Sequence, residues 1–185
     1  GLPLHSLEEY RHFVGNGARR LIERAAGTAD PALIGRLLTD FLRIYDRDCL
    51  ARTKPYPGIP ELLAVLSAQR CRLVVVTNKP EEQAVKILEH VFPERPFAAI
   101  CGGRAGRRHK PDPAALLETL EAVGAGPGTA IYVGDSDVDV HTAHNAGIPC
   151  AGAVWGFRGE EELARAGADV LLYEPAGLLR CLELF

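Results

Sequence analysis

Asp135, Asp137 and Asp139 place three carboxylates within five residues, directly after the apolar run Ile131-Tyr132-Val133-Gly134. Clustered like charge costs energy unless a cation offsets it, and hard oxygen donors suit Mg2+. Spaced by four, Asp135 and Asp139 share one helix face. Helix capping and dipole compensation are the competing explanation, although three acids exceed what one cap needs. Upstream, Val74-Val75-Val76 runs into Thr77-Asn78-Lys79-Pro80, where a hydroxyl and the following amides at a helix start suit phosphate oxygens. A plain turn would use the same residues. Between the two, His109-Lys110-Pro111-Asp112-Pro113 holds Lys110 beside a turn in which Asp112 caps a helix beginning with Pro113. A lysine so held neutralises a phosphoryl group and a carboxylate together; an isolated one is solvated.

These three clusters need elements that bring them to one place. Short β-branched runs at 72–77, 98–101, 130–133, 149–154 and 169–173 alternate with helices starting near Ile59, Pro80, Pro113, Ser136, Gly159 and Pro175. That alternation predicts an α/β fold with a Rossmann-like, doubly wound parallel sheet, whose ligands bind at the carboxyl ends of the strands. The first fifty residues have a different texture. Ser6 to Glu9 makes a capping box, a second helix follows Gly17, and Asp30-Pro31 opens a long helix through Leu33, Ile34, Leu37, Leu38, Phe41, Leu42 and Tyr45. Lys54-Pro55-Tyr56-Pro57-Gly58 breaks the pattern, which divides the chain into an all-helical 1–54 and an α/β 55–185.

Composition narrows the function classes. A net charge of −3 with scattered basic residues argues against nucleic acid as a partner. The five cysteines form no C-x-x-C pair, so neither a disulfide framework nor a zinc site is indicated, and a reducing cytoplasm is expected. No apolar run is long enough to span a bilayer, so no membrane partner is expected. The chain opens on Gly1 and contains no methionine, so an upstream segment is expected.

Taken in order, Thr77, Lys110 and Gly134-Asp135-x-x-x-Asp139 resemble motifs two, three and four of the haloacid dehalogenase superfamily. Val76-Thr77-Asn78-Lys79-Pro80, Lys110-Pro111-Asp112-Pro113 and Val133-Gly134-Asp135-Ser136 look like its phosphoglycolate phosphatase branch. So do Ala146-Gly147-Ile148 and Trp155-Gly156-Phe157 with Glu160, Glu161 and Glu162, while Gly15-Asn16-Gly17 is similar to the substrate-facing loop of its helical cap. Trp155 is either part of the active-site mouth or an edge anchor. The resemblance implies Mg2+-dependent phosphomonoester hydrolysis through a phospho-aspartate, in a monomer or homodimer acting on a small phosphorylated metabolite. It implies Thr77 and Lys110 as catalytic residues, Thr77, Asn78 and Lys110 around phosphate, and Asp135 on the metal. Asp139 stands behind it, orienting a metal-bound water or Lys110. Gly15, Asn16, Gly17 and Arg19 would close over the organic end of the substrate, with Arg19 facing a carboxylate.

The same resemblance exposes a gap. Family members begin with an apolar strand ending in Asp-x-Asp-Gly-Thr, whose first aspartate attacks phosphorus, and no such run occurs here. Asp46-Arg47-Asp48 sits in a helical pattern and the pairs within 135–139 belong to motif four. The resemblance places the missing strand centrally, between the strands ending at Thr77 and Asp135, so the 185 residues alone are expected to be inactive. A phosphate- or partner-binding remnant is the alternative, with a phosphomutase or phosphonatase as further rivals. The last would need a cap lysine, and residues 1–52 contain none. Arg104 departs from the acidic residue usual after Gly102-Gly103; its loop either attracts anions or is solvated. His141 and His144 read as surface residues, lacking a third ligand.

Overall fold

The computed structural model describes residues 1–182. Three helices open the chain: α1 (Leu7–Phe13), α2 (Ala18–Ala26) and α3 (Pro31–Asp48). The capping box starts α1, with the Ser6 N–H donating to Glu9 Oε2 at 2.8 Å and the Glu9 N–H to Ser6 Oγ at 3.2 Å. Asp30 starts α3 by accepting the Ala32 N–H at 3.0 Å, with Pro31 in the first turn, where its missing N–H costs nothing.

From α4 (Ile59–Ala68) onward strands and helices alternate: β1 (Leu73–Pro80), α5 (Glu81–Val91), β2 (Phe97–Gly103), α6 (Ala114–Ala122), β3 (Tyr132–Gly134), α7 (Asp137–Asn145), β4 (Cys150–Ala153), α8 (Glu160–Ala166), β5 (Val170–Leu172) and α9 (Gly177–Cys181). All the pairings are parallel. The expected class is therefore the observed one. β1 runs past Thr77 to Pro80, and the last three strands are shorter than their apolar runs, because pairing, not hydrophobicity, decides where a ladder ends.

Two buried clusters flank the sheet. On one face Leu116 and Leu120 of α6, Val140 and Ala143 of α7 and Leu163 of α8 pack with Tyr132, Ile148 and Cys150. On the other, Leu62 and Leu66 of α4 and Leu178 and Cys181 of α9 meet Ala151 and Leu172. Burying a side chain such as Leu163 stabilises by about 1.5–3 kcal/mol each. No helix is long and apolar enough to cross a membrane among the described residues.

The strands divide into two sheets, β1-β2 and β3-β4-β5, and β1 and β3 are not paired with each other. Between them lies a cavity of about 970 Å3, walled by Val74, Val75 and Val76 on one side and Ile131, Tyr132 and Val133 on the other. Leu62, Leu66, Leu116 and Leu120 also line it. Among the described residues, the facing edges of these two parallel strands border this apolar slot without pairing across it.

Candidate active site

The site grows from a buried ion pair. Lys110 Nζ lies 2.6 Å from Asp139 Oδ1, with side chains 12% and 10% exposed. Tyr132 completes the group: its hydroxyl accepts from Lys110 Nζ at 3.0 Å and donates to Asp139 Oδ1 at 3.2 Å. The second Asp139 oxygen accepts the Ser136 hydroxyl at 2.7 Å and the Asp135 N–H at 3.1 Å. Burial would raise Asp139, but Lys110, Ser136 and the Asp135 N–H outweigh it and hold the carboxyl below its ordinary range. Burial would lower Lys110, yet Tyr132 and Asp139 keep it above the usual lysine range, so it is an ammonium at any physiological pH. Burial pushes the Tyr132 phenol up to about 12. Gly134 makes the cluster possible, since a Cβ there would stand 2.2 Å from the Asp139 Cβ.

Asp135 is placed differently. Burial raises its carboxyl above the ordinary range, offset in part by the Phe157 N–H on Oδ2 at 3.0 Å. Gly156 lets the loop after β4 approach this closely, because a Cβ there would lie 2.3 Å from the Asp135 Cβ. Oδ1 makes no hydrogen bond among the described residues, and Asp135, Lys110 and Asp139 all line the slot between β1 and β3. A half-buried carboxylate with an open oxygen fits a hard cation such as Mg2+. Each Asp139 oxygen accepts two hydrogen bonds, one of them from the Lys110 ammonium, which orients that lysine. Among the described residues no group of three or more His, Cys, Asp or Glu could hold a metal, so Asp135 would be one ligand among others supplied by substrate, water or a further chain segment. Asp137 takes no part: it accepts the Val138 N–H at 2.7 Å, and its own N–H donates to Glu162 at 3.1 Å.

At the end of β1, Thr77 Oγ1 accepts the Lys79 N–H at 3.1 Å, leaving its own proton free for an anion. The Asn78 side chain is not free. It is 8% exposed, its Nδ2 donates to Gly15 O at 2.9 Å and to Lys110 O at 3.1 Å, and its Oδ1 accepts the Lys110 N–H at 2.8 Å. With both amide protons used, the Asn78 side chain serves the fold, and its part at phosphate would be that of its backbone, as the sequence reading of the following amides has it.

The helical segment closes over this end of the sheet. Gly15 is held by Asn78, and Gly17 lies against His109, whose ring a Cβ at Gly17 would approach to 3.1 Å. On the far side Arg158 donates to His12 Nδ1 at 3.0 Å and to Val14 O at 3.1 Å, and Arg11 lies over the Phe157 ring at 5.7 Å. Arg158 Nε is buried without a hydrogen-bond partner among the described residues, 3.6 Å from Glu162. Arg19, in α2, is exposed and in no ion pair among the described residues. Trp155 packs against the Leu62 and Leu172 cluster and lines the slot with Asp135, while Phe157 and Arg158 meet α1 and its C-terminal end.

Tyr132, Ser136 and Arg158 were missed from sequence, where Tyr132 looked like one more apolar strand residue. Asp46, the near-miss of an Asp-x-Asp pair, instead ties α3 to α5: its Oδ1 lies 3.2 Å from Gln83 Nε2 and 3.1 Å from Lys86 Nζ. Lys79 also reaches α3, through the Tyr45 hydroxyl. Around Arg104, Glu81 neutralises the basic loop, pairing with Arg107 at 2.7 Å. His144 pairs with Asp169 at 3.0 Å and His141 is exposed, in keeping with a surface role.

Comparison with known proteins agrees with this architecture. Residues 1–153 match the family model described as haloacid dehalogenase-like hydrolase. Phosphoglycolate phosphatase 1 of Pseudomonas aeruginosa is 34% identical over 189 residues, covering 99% of this chain and 69% of that protein. N-acetylmuramic acid 6-phosphate phosphatase of the same organism is 33% identical over 186 residues, covering 99% and 82%. A crystal structure of a predicted phosphoglycolate phosphatase from Haemophilus somnus superposes with a TM-score of 0.88 at 28% identity, covering 97% of this chain and 84% of that one. The chain spans 60% to 69% of the length of the first curated relatives it matches. With the family model covering most of its length and the motif order held on a matching fold, this chain belongs to the haloacid dehalogenase-like hydrolase family.

Proposed function

We propose that this chain supplies the charge-handling part of a Mg2+-dependent phosphomonoester hydrolase of the phosphoglycolate phosphatase type, working through a phospho-aspartate. One observation carries the reading: Lys110 and the open oxygen of Asp135 border the same slot at the carboxyl ends of β1 and β3. An ammonium has three N–H donors, and Tyr132 and Asp139 take two, so the third is available to a phosphoryl oxygen. The Thr77 hydroxyl proton is available to another. Mg2+ at Asp135 would neutralise the remaining charge as it develops. We assign the nucleophilic carboxylate to an extended strand seated between β1 and β3. A parallel strand there would pair both open edges and deliver its carboxyl end beside Lys110 and Asp135.

The two curated relatives described above are phosphatases of esters that also carry a carboxylate. That supports an organic acid phosphate as the substrate class, with Gly15, Asn16 and Gly17 over its organic end and Arg19 as carboxylate partner. The test is phosphate release from phosphoglycolate in Mg2+, first by the 185-residue chain and then with an added apolar peptide ending in Asp-x-Asp-Gly-Thr. Background turnover alone and Mg2+-dependent turnover with the peptide are expected. Robust turnover by the chain alone would sink the assignment of the nucleophile. The second reading, a non-catalytic phosphate binder, is selected if phosphate binds yet no added strand produces turnover.

A further inference from the structure

We infer that Asn78 is a positioning residue that ties the closed helical segment to the placement of Lys110. The inference rests on the phosphatase reading only for its catalytic meaning; the geometry stands by itself. One buried amide makes three hydrogen bonds to two segments far apart in sequence: to the Gly15 carbonyl, and to both the N–H and the carbonyl of Lys110. The two bonds to Lys110 span its peptide units on either side, so they set the backbone from which the ammonium reaches Tyr132 and Asp139. The bond to Gly15 holds the loop between α1 and α2, and the neighbouring Gly17 rests on His109, the residue before Lys110. The helical segment thus meets the Lys110 turn at two adjoining points, and Asn78 is bonded to both partners. When the loop lifts, Asn78 loses one of its two N–H acceptors, a loss a buried amide resists. Closure and the orientation of the lysine are therefore favoured together.

The chemistry of the amide provides its own dissection. Asn78→Asp keeps an oxygen for the Lys110 N–H but removes both donors and sets a carboxylate against the Gly15 and Lys110 carbonyls. Asn78→Ala removes both arms. The measurement is 15N relaxation at Gly15, Asn16 and Gly17 together with hydrogen exchange at the Lys110 amide, on the chain as it stands. For the Asp variant, order parameters of the loop should fall from about 0.85 toward about 0.6. The Lys110 amide should keep its parent exchange rate. For the Ala variant the loop should loosen equally and Lys110 exchange should rise about tenfold, the effect of losing one hydrogen bond. The inference is overturned if the Asp variant leaves the loop rigid, or if the Ala variant leaves Lys110 protected. It is also overturned if either variant raises exchange equally throughout α7 and β4, which would mark a general loss of stability. None of these readouts depends on turnover, so failure of the phosphatase reading leaves them intact.

Discussion

The Lys110 cluster and the slot between β1 and β3 share residues yet are opposite in kind. In the cluster Tyr132, Ser136 and Asp139 are all hydrogen-bonded, and the charges of Lys110 and Asp139 are matched. Beside it, the edges of β1 and β3 are not paired with each other among the described residues and wall an apolar cavity of about 970 Å3. The ionic part of the site is closed by its own hydrogen bonds, whereas the facing strand edges are not. It is held from both sheets: Tyr132 of β3 and Asp139 of α7 meet the Lys110 ammonium, and Asn78 of β1 bonds the Lys110 backbone.

The largest expected effect comes from breaking the finished half. Lys110→Met leaves Asp139 ionised and buried without its cation, and should cost about 3–5 kcal/mol of stability in urea unfolding. The double change Lys110→Met with Asp139→Leu should recover most of that loss, since neither charge is then orphaned. The pH dependence has a defined sign. Asp139 has a lowered pKa in the fold, so its stabilisation is complete above the unfolded carboxylate range, near pH 4, and drains away as pH falls through the folded value. Asp135, whose pKa is raised, works the other way, and protonating it on acidification favours the fold.

Next in size is filling the open half. An apolar peptide of strand length should raise the unfolding free energy by about 2.7 kcal/mol at a concentration about 100-fold above its Kd. A scrambled peptide with charges on alternate positions should not. If both act equally, the slot is a hydrophobic sink and not a strand site. Smaller again, Asp135→Asn should raise thermal stability without metal by about 1 kcal/mol, because it removes a buried charge that burial disfavours. The same change should abolish any stabilisation by Mg2+; an undiminished Mg2+ shift would move the metal away from Asp135. The smallest effect is Tyr132→Phe, expected to cost about 1 kcal/mol, the typical net worth of a hydrogen bond. It keeps the ring in the core while loosening Lys110.

Much of this was legible beforehand for local reasons. β-branched runs bounded by turn residues located the five strands of the described residues, because alternating or continuous apolar patterns reflect burial directly. The caps at Ser6 and Asp30 were readable because capping depends on residues two or three apart. That Asp139 stands behind the site, toward either a metal-bound water or Lys110, followed from a resemblance, not from spacing. The roles of Asn78, Tyr132 and Arg158 were not legible, as each depends on a partner 22 to 146 residues away.

By itself the sequence determined the class of fold, the order of the three motifs and the residue types available for phosphate and metal chemistry, since these rest on periodicity, turns and ionisable groups. Only the tertiary structure decided that Asp139 serves Lys110, that Asp135 keeps an open oxygen and that Asn78 belongs to the Lys110 turn. Which donor meets which acceptor is set by the packing of distant elements and by glycines such as Gly134 and Gly156 that let side chains come close enough to bond.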